Sequence, residues 1–207
     1  MTLLPRLHTF AMTSDLIKSL PARRGHFLLE SGYHSDFWFT LDALFVEPRE
    51  IADQVVGLAE LLRPYEVSAV CGPLLGGAFL AHALSTHMGV RFYYTQPEQA
   101  TGEGELFAAR YRLPTELRRL ISGERVAIVD DFISAGSSVR ATEAELTEAG
   151  ATTVGVGSMM LLGTQATDYF AQRAVPVVSV AKQEFNLWSP DECPLCMSGT
   201  PLENPVS

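Results

Sequence analysis

The stretch that decides the fold is Val126-Ala-Ile-Val-Asp-Asp-Phe-Ile-Ser-Ala-Gly-Ser-Ser138. Its apolar first half predicts a buried strand over residues 125–130, with two carboxylates where that strand ends. Small residues predict a loop over 131–137 that leads into a helix over 138–149. A helix N-terminus offers free N–H groups and the positive end of the helix dipole, and Gly136 allows close backbone approach. The pattern therefore predicts an anion site, most simply for a phosphate.

The two carboxylates add a second function to this loop. The carboxylates of Asp130 and Asp131 can accept hydrogen bonds from the two hydroxyl groups of a vicinal diol. They are also suited to holding Mg²⁺ through water. Three serine hydroxyls nearby are further donors to an anion. A phosphate cradle beside a diol clamp describes a site for ribose 5-phosphate. The alternative is a strand-end turn followed by a helix N-cap, with no ligand; the motif's strand–loop–helix context favours the ligand site.

Outward from this loop, apolar runs and helical spacings alternate along the chain. Near-continuous apolar strands separated by helices predict an α/β fold, a parallel sheet with helices on both faces. Ligands of such sheets bind where strands end, which selects the loops 72–77, 95–105 and 131–138. Extended segments are predicted over residues 25–45; strands over 67–71, 92–95, 106–113, 125–130 and 153–162; and helices over 13–20, 48–62, 78–88 and 138–149.

Composition limits the partners. The 207 residues carry fifteen Lys and Arg against twenty-four Asp and Glu, a net charge of −9. This balance argues against a nucleic-acid partner and against binding to an anionic membrane, both of which need a basic face. Three cysteines form no disulfide framework, so we expect a reduced, cytoplasmic environment.

Two of the cysteines form the pattern Cys193-Pro-Leu-Cys196. The spacing is that of a zinc knuckle, but a structural zinc site needs four ligands and the sequence has no second pair of this kind. A packed, reduced turn is therefore the first interpretation, and zinc completed by a histidine or across a dimer is the alternative.

Four segments carry a family resemblance. Residues 126–138 resemble the motif with which type I phosphoribosyltransferases bind phosphoribosyl pyrophosphate (PRPP). Phe27-Leu-Leu-Glu-Ser-Gly-Tyr-His-Ser35 and Gly72-Pro-Leu-Leu-Gly-Gly77 are similar to segments of one branch, the orotate phosphoribosyltransferases. The tail Trp188-Ser-Pro-Asp-Glu-Cys-Pro-Leu-Cys196 looks like that of a bacterial subgroup of the branch. The resemblance covers about residues 15–200.

The resemblance implies an enzyme that uses Mg²⁺ and PRPP, transfers ribose 5-phosphate to a nucleobase, in first place an orotate-like pyrimidine, and releases pyrophosphate. It implies a single domain over residues 1–207, with a core over about 46–179 and a hood from about 13–45 and 180–207, in a homodimer. The residues implied are Asp130 and Asp131 for the ribose hydroxyls and catalysis; Ser134, Ala135, Gly136, Ser137 and Ser138 for the 5-phosphate; Leu74, Leu75, Gly76 and Gly77 for the pyrophosphate; and His34, Phe37 and Trp38 for the base.

The chain departs from the family where cations are expected. The segment that corresponds to the family's cationic catalytic loop, residues 95–102, contains none, and Glu30 stands where a lysine is frequent. The arginine that grips orotate corresponds to Gly163 or Thr164. We expect cations from elsewhere to assist catalysis, either from a partner subunit or from Arg91, Arg110 and Arg112, of which the last two share one face of a strand and are assigned to the catalytic set. Ion pairs with Glu103 or Glu105 are the alternative for those two arginines, and a non-catalytic PRPP or nucleotide sensor is the alternative for the protein.

Overall fold

The computed structural model describes residues 21–41, 44–98 and 109–205. The strands are β1 (Ala22–Leu28), β2 (His34–Phe39), β3 (Ala69–Pro73), β4 (Arg91–Glu98), β5 (Arg110–Arg112), β6 (Arg125–Ile133), β7 (Thr152–Leu162) and β8 (Val177–Gln183). Six of these form the central sheet, in the order β5-β4-β3-β6-β7-β8; neighbouring strands are parallel except β4 and β5, and β1 pairs with β2 in a separate antiparallel hairpin. The predicted α/β fold is confirmed. The helices are α1 (Ala52–Leu62), α2 (Gly76–Met88), α3 (Thr115–Leu120), α4 (Ser137–Glu148), α5 (Gln165–Ala171) and α6 (Pro194–Met197).

Strand β6 explains why the deciding stretch is so apolar. Val126 and Ile128 pack on one side of the sheet with residues of α4 and α5, whereas Ala127 and Val129 pack on the other side with residues of α1 and α2. All four are fully buried. A strand covered on both faces has no solvent-facing side, so its sequence reads as a continuous apolar run rather than an alternation.

The hood consists of the β1–β2 hairpin and the tail of the chain. The tail is tied to the hairpin by backbone hydrogen bonds: His34 and Trp188 exchange two, Leu28 N–H donates to Glu203 O, and Glu203 N–H donates to His26 O. The expected boundary near residue 180 falls inside β8, so the central sheet takes residues up to Gln183 and the tail follows it.

Element boundaries differ from the sequence prediction mainly around the loops. Strand β6 continues through Phe132 and Ile133 because both pair with β7, so the predicted loop over 131–137 shrinks to residues 134–136. The predicted loop 72–77 shrinks to Leu74 and Leu75, since β3 runs through Pro73 and α2 begins at Gly76. The helix expected from residue 48 begins at Ala52, after turns over residues 47–51.

Other predictions differ in extent or fall outside the described parts. Strand β4 extends to Glu98 because it pairs with β5, so the start of the predicted loop 95–105 is strand. The helix over 13–20, the remainder of that loop and the start of the strand over 106–113 lie outside the described residues. The sequence analysis missed α3, α5 and β8. No helix in residues 21–41, 44–98 and 109–205 has the length and apolar character needed to cross a bilayer.

Candidate active site

Two glycines bring the loop after β3 against the carboxylates at the end of β6. A Cβ atom on Gly76 would lie 2.1 Å from Asp131 Oδ2, and one on Gly77 would lie 2.7 Å from Asp130 Oδ1. Side chains do not tolerate such distances, so only glycine permits this approach. The structure therefore brings together two of the loops that the sequence analysis selected separately.

The acidic pair is buried and internally bonded. Asp130 and Asp131 are 8% and 9% exposed. Asp130 accepts hydrogen bonds from the Ser138 hydroxyl at 2.8 Å and from the Asp131 N–H at 3.1 Å, and Asp131 accepts one from the Phe132 N–H at 2.8 Å. Burial raises the pKa of both carboxyl groups, and the charge of Asp131 raises the pKa of Asp130 further. Two buried carboxylates with raised pKa values are suited to bind a cation or to accept hydrogen bonds from hydroxyl groups.

The predicted phosphate cradle forms at the start of α4. Gly136 has φ = +83°, a left-handed conformation that an L side chain rarely adopts, and it directly precedes the helix. The first-turn N–H groups of α4 have no carbonyl partner within the helix, and they point out of its N-terminus. Ala135 and Gly136 are buried, while Ser134 and Ser138 are partly exposed. The geometry is that of an anion site.

Helix α2 offers a second N-terminus at the loop expected to hold pyrophosphate. Its first-turn N–H groups include those of Gly76 and Gly77. Leu74 departs from the prediction: its N–H donates to Thr95 O at 2.8 Å and is thus used within the fold rather than for pyrophosphate. Leu75 is 64% exposed and precedes the helix.

Sequence reasoning missed a contact of the hood with the cradle. The carboxylate of Glu30 accepts hydrogen bonds from the Ser137 hydroxyl at 3.2 Å and from the Tyr111 hydroxyl at 2.8 Å. Burial and the neighbouring Glu30 raise the pKa of Tyr111, which keeps its phenol protonated as the donor. Glu30 was noted only as a departure from the family, and no local pattern links residues this distant in sequence.

An aromatic cavity of about 680 Å³ lies between the hood and the cradle. Phe37 and Trp38 line it together with Phe132 and Ser134, which follow the acidic pair in the chain. Phe39 also lines it, with its ring centroid 5.5 Å from that of Phe132. Flat aromatic walls beside a phosphate cradle suit a planar heterocycle. The structure thus places two of the three predicted base-binding residues at one cavity that reaches the cradle.

The third, His34, points elsewhere. It is buried, and its Nδ1 lies 3.0 Å from His26 Nε2 and 3.3 Å from Cys196 Sγ. Burial and the neighbouring His26 lower its pKa, which favours the neutral imidazole. The structure does not bring His34 to the aromatic cavity, because its ring is turned toward the tail.

Arg112, one of the two predicted catalytic arginines, forms ion pairs with helix α4. Arg112 bonds to Glu145 at 2.7 Å and Glu148 at 2.9 Å, and Arg118 pairs with the same carboxylates. Burial alone would raise the pKa of Glu145, but hydrogen bonds from Arg112 and Arg118 hold it below its usual value. These contacts give Arg112 ion-pair partners on α4, whereas Glu103 and Glu105, the partners suggested by the sequence, lie outside the described residues.

Arg110 and Arg91 have different surroundings. Arg110 is exposed and pairs in register with Glu98, at the outer end of the β4–β5 hairpin. Arg91 begins β4 and forms an ion pair with Glu124. Strands β4, β3 and β6 are parallel, so Arg91 lies at the end of the sheet where these strands begin. Asp130 and Asp131 lie toward the opposite end.

Buried strand-end carboxylates, two helix N-termini and an aromatic hood together define a nucleotide- or sugar-phosphate-binding α/β protein. The model of the phosphoribosyl transferase domain family matches residues 45–194, and the chain belongs to this family. The family and the transferase class expected from the sequence are therefore confirmed.

Individual relatives refine the comparison. Orotate phosphoribosyltransferase of Thermotoga maritima is 36% identical over 188 residues, which cover 88% of this chain and 90% of that protein. The crystal structure of orotate phosphoribosyltransferase from Aeropyrum pernix has a TM-score of 0.60 at 27% identity, covering 78% of this chain and 87% of that one. Adenine phosphoribosyltransferase from Rhodothermus marinus shares the fold, with a TM-score of 0.59 at 19% identity over 81% of this chain and 96% of that one.

Proposed function

We propose that this protein transfers ribose 5-phosphate from PRPP to orotate and releases pyrophosphate. The observation that carries the proposal is the close approach of Gly76 and Gly77 to Asp130 and Asp131 beside the N-terminus of α4. In this arrangement the N-terminus of α4 offers hydrogen-bond donors for the 5-phosphate of PRPP, and the N-terminus of α2 offers donors for its pyrophosphate. The carboxylate pair lies between these two sites. The names of the relatives support a transferase acting on orotate, and they give no support to the non-catalytic sensor.

Each part of the site has a role in this reaction. The N–H groups and hydroxyls of residues 134–138 bind the 5-phosphate, and the first turn of α2 binds the pyrophosphate. Asp130 and Asp131 accept hydrogen bonds from the two ribose hydroxyls. When pyrophosphate leaves C1, positive charge develops on the ribose ring, and these carboxylates stabilise that charge because they are already buried and oriented.

Mg²⁺ is the proposed cofactor, and the donors present fit it. The acidic pair provides hard carboxylate oxygens, and burial of their negative charge raises their pKa values, so a bound cation would stabilise the ionised pair. Bound with PRPP, Mg²⁺ would neutralise charge on the leaving pyrophosphate. Asp130 and Asp131 would hold it through its water molecules.

The aromatic cavity is the proposed base site. Phe37, Trp38 and Arg23 all line it, and the guanidinium group of Arg23 forms an ion pair with Glu203 at 2.6 Å. Orotate carries a carboxylate that uracil lacks, so Arg23 is our proposed partner for it in place of the family's missing arginine, with the orotate carboxylate replacing that of Glu203. The fold alone does not select the base, since the adenine enzyme shares it.

The experiment that tests the function is pyrophosphate release from PRPP and Mg²⁺ with a panel of bases: orotate, uracil, hypoxanthine, xanthine and adenine. We expect release with orotate, and a kcat/KM at least about tenfold lower with uracil because one charge-assisted hydrogen bond is lost. Release with a purine alone would contradict the choice of base. Thermal stabilisation by PRPP without release from any base would contradict the reaction.

The two arginines of β5 give a matched pair of variants. We propose that Arg110 assists the departure of pyrophosphate, from its own or a partner subunit, and that Arg112 stabilises α4 through Glu145. Replacing Arg110 by alanine is expected to lower kcat about tenfold or more with little change in Tm. Replacing Arg112 is expected to lower Tm by several degrees, since a buried carboxylate loses a partner, with kcat nearly unchanged. Equal kcat losses in both variants would contradict this division, and steady-state kinetics with differential scanning fluorimetry measures it.

We propose three further properties of the protein, which concern its oligomeric state, its partners and its location. A homodimer would place cations of one subunit near the site of the other, which is the family arrangement that the sequence analysis invoked. The excess of acidic residues supports small-molecule partners rather than nucleic acid or an anionic membrane. No disulfide joins the three cysteines, all of which lie in the described residues, and we propose that the protein works in the reducing cytoplasm.

A further inference from the structure

Four side chains that the reaction does not use meet between the hairpin and the tail. His26 and His34 come from β1 and β2, Cys193 precedes α6, and Cys196 lies within it. One nitrogen or sulfur atom from each lies within 4.8 Å of all the others. The two histidines and Cys193 are buried, and Cys196 lies at the surface. Such a group of soft and borderline ligands is the donor set of a metal site.

The distances among these atoms match a tetrahedral metal site. His26 Nε2 lies 3.0 Å from His34 Nδ1, 3.4 Å from Cys193 Sγ and 3.7 Å from Cys196 Sγ, while His34 Nδ1 lies 3.3 Å from Cys196 Sγ. With Zn–N near 2.0–2.1 Å and Zn–S near 2.3 Å, the edges of a tetrahedron are about 3.3–3.8 Å long. Four of the six separations are therefore close to the edges of such a tetrahedron, and the other two are no longer than 4.8 Å.

The surroundings also orient the ligands. Thr200 O lies 2.8 Å from His26 Nδ1 and is an acceptor, so His26 carries its proton on Nδ1 and directs the lone pair of Nε2 at the cluster. Backbone hydrogen bonds between His34 and Trp188, and between His26 and Glu203, hold the two pairs of ligands opposite one another. A hydrogen bond to a backbone carbonyl is the usual support of a histidine that binds metal.

We propose that His26, His34, Cys193 and Cys196 bind one Zn²⁺ that fastens the tail to the hairpin. Two thiolates and two imidazoles in a tetrahedron select zinc, and four protein ligands leave no position for substrate, so the site is structural. In this proposal His34 is a metal ligand rather than a base-binding residue. Cys193 and Cys196 belong to a zinc site that histidines complete, which was the alternative interpretation of the Cys-x-x-Cys pattern. The ion would hold the hood, and hence Phe37 and Trp38, in place over the base site.

The first test is the metal content of the purified full-length protein, measured by inductively coupled plasma mass spectrometry. We expect one zinc per chain, and after exchange with Co²⁺ the visible absorption of a tetrahedral cobalt–thiolate site. Chelation is expected to lower Tm by on the order of 10 °C, restored by zinc. These readouts are independent of any transferase activity, so the zinc site and the proposed function fail separately.

Variants locate the ion. Cys193→Ser and Cys196→Ser are each expected to lose the zinc and the cobalt spectrum, whereas Cys71→Ala, which removes a buried thiol in β3 outside the cluster, is expected to keep both. If a serine variant fails to fold, the wild type is tested instead by modifying its thiols and measuring the zinc that is released. We expect two thiols to be modified for each zinc ion released. Folded wild type that holds no zinc after zinc is supplied, or a Cys193–Cys196 disulfide in protein purified under reducing conditions, would overturn the proposal.

Discussion

Replacing Asp131 by asparagine is expected to lower kcat/KM for PRPP by about 10²–10³-fold. The substitution keeps the size of the side chain and removes its negative charge. That charge is proposed to stabilise the positive ribose ring and to hold Mg²⁺, and it acts in a buried site where water does not screen it. The measurement is initial-rate pyrophosphate release with orotate, and Asp168→Asn, on α5, is the matched control expected to leave the rate unchanged.

The stability of the same variant separates loss of charge from loss of fold. Burial raises the pKa of Asp131 above its unfolded value, so its ionisation costs stability as pH rises from about 4 through the folded pKa. Asparagine has no such ionisation. The Tm of Asp131→Asn relative to wild type is thus expected to increase between pH 4 and pH 8, measured without ligands. A variant that is inactive and also less stable at pH 8 would contradict the assignment, as would one that retains full activity.

The central motif was predictable because its signals are local. The apolar run, the acidic doublet and Gly136 lie within a dozen residues of one another, and each acts through its own backbone or its immediate neighbours. The parallel topology followed from the same runs. The ends of the strands and helices were predicted less well than their existence. Strand β6 continues past its two carboxylates because β7 offers pairing partners for Phe132 and Ile133, and no local pattern reveals such pairing.

Contacts between distant residues were not predictable. Glu30 meets Ser137 because the turn of the hairpin lies against the start of α4. The His26–His34 pair meets Cys193 and Cys196 because the tail folds back over the hairpin. The sequence marks each of these side chains as unusual but does not say which ones touch. Arg112 shows the same limit: its spacing from Arg110 predicts a shared face, but no local pattern indicates the ion pairs that it forms with Glu145 and Glu148.

Gly76→Ala is expected to lower kcat/KM for PRPP by about 10²-fold with only a modest loss of stability. The new methyl group would lie 2.1 Å from Asp131 Oδ2, so the carboxylate must rotate away. It would lose its hydrogen bond from the Phe132 N–H, a cost of about 1 kcal/mol, while a displacement of about 1 Å at a reacting centre costs about 10²-fold in rate.

Gly57→Ala is the matched control for this substitution. Gly57 lies in α1, where a Cβ would meet only Val180, at 3.8 Å, an ordinary van der Waals contact. Alanine is the better helix former there, so we expect unchanged kinetics and an equal or higher Tm. Calorimetry and pyrophosphate-release kinetics on both variants give the comparison. If Gly76→Ala were as active as Gly57→Ala, the loop after β3 would not position Asp131, and the carboxylate would act from a different orientation than the one observed.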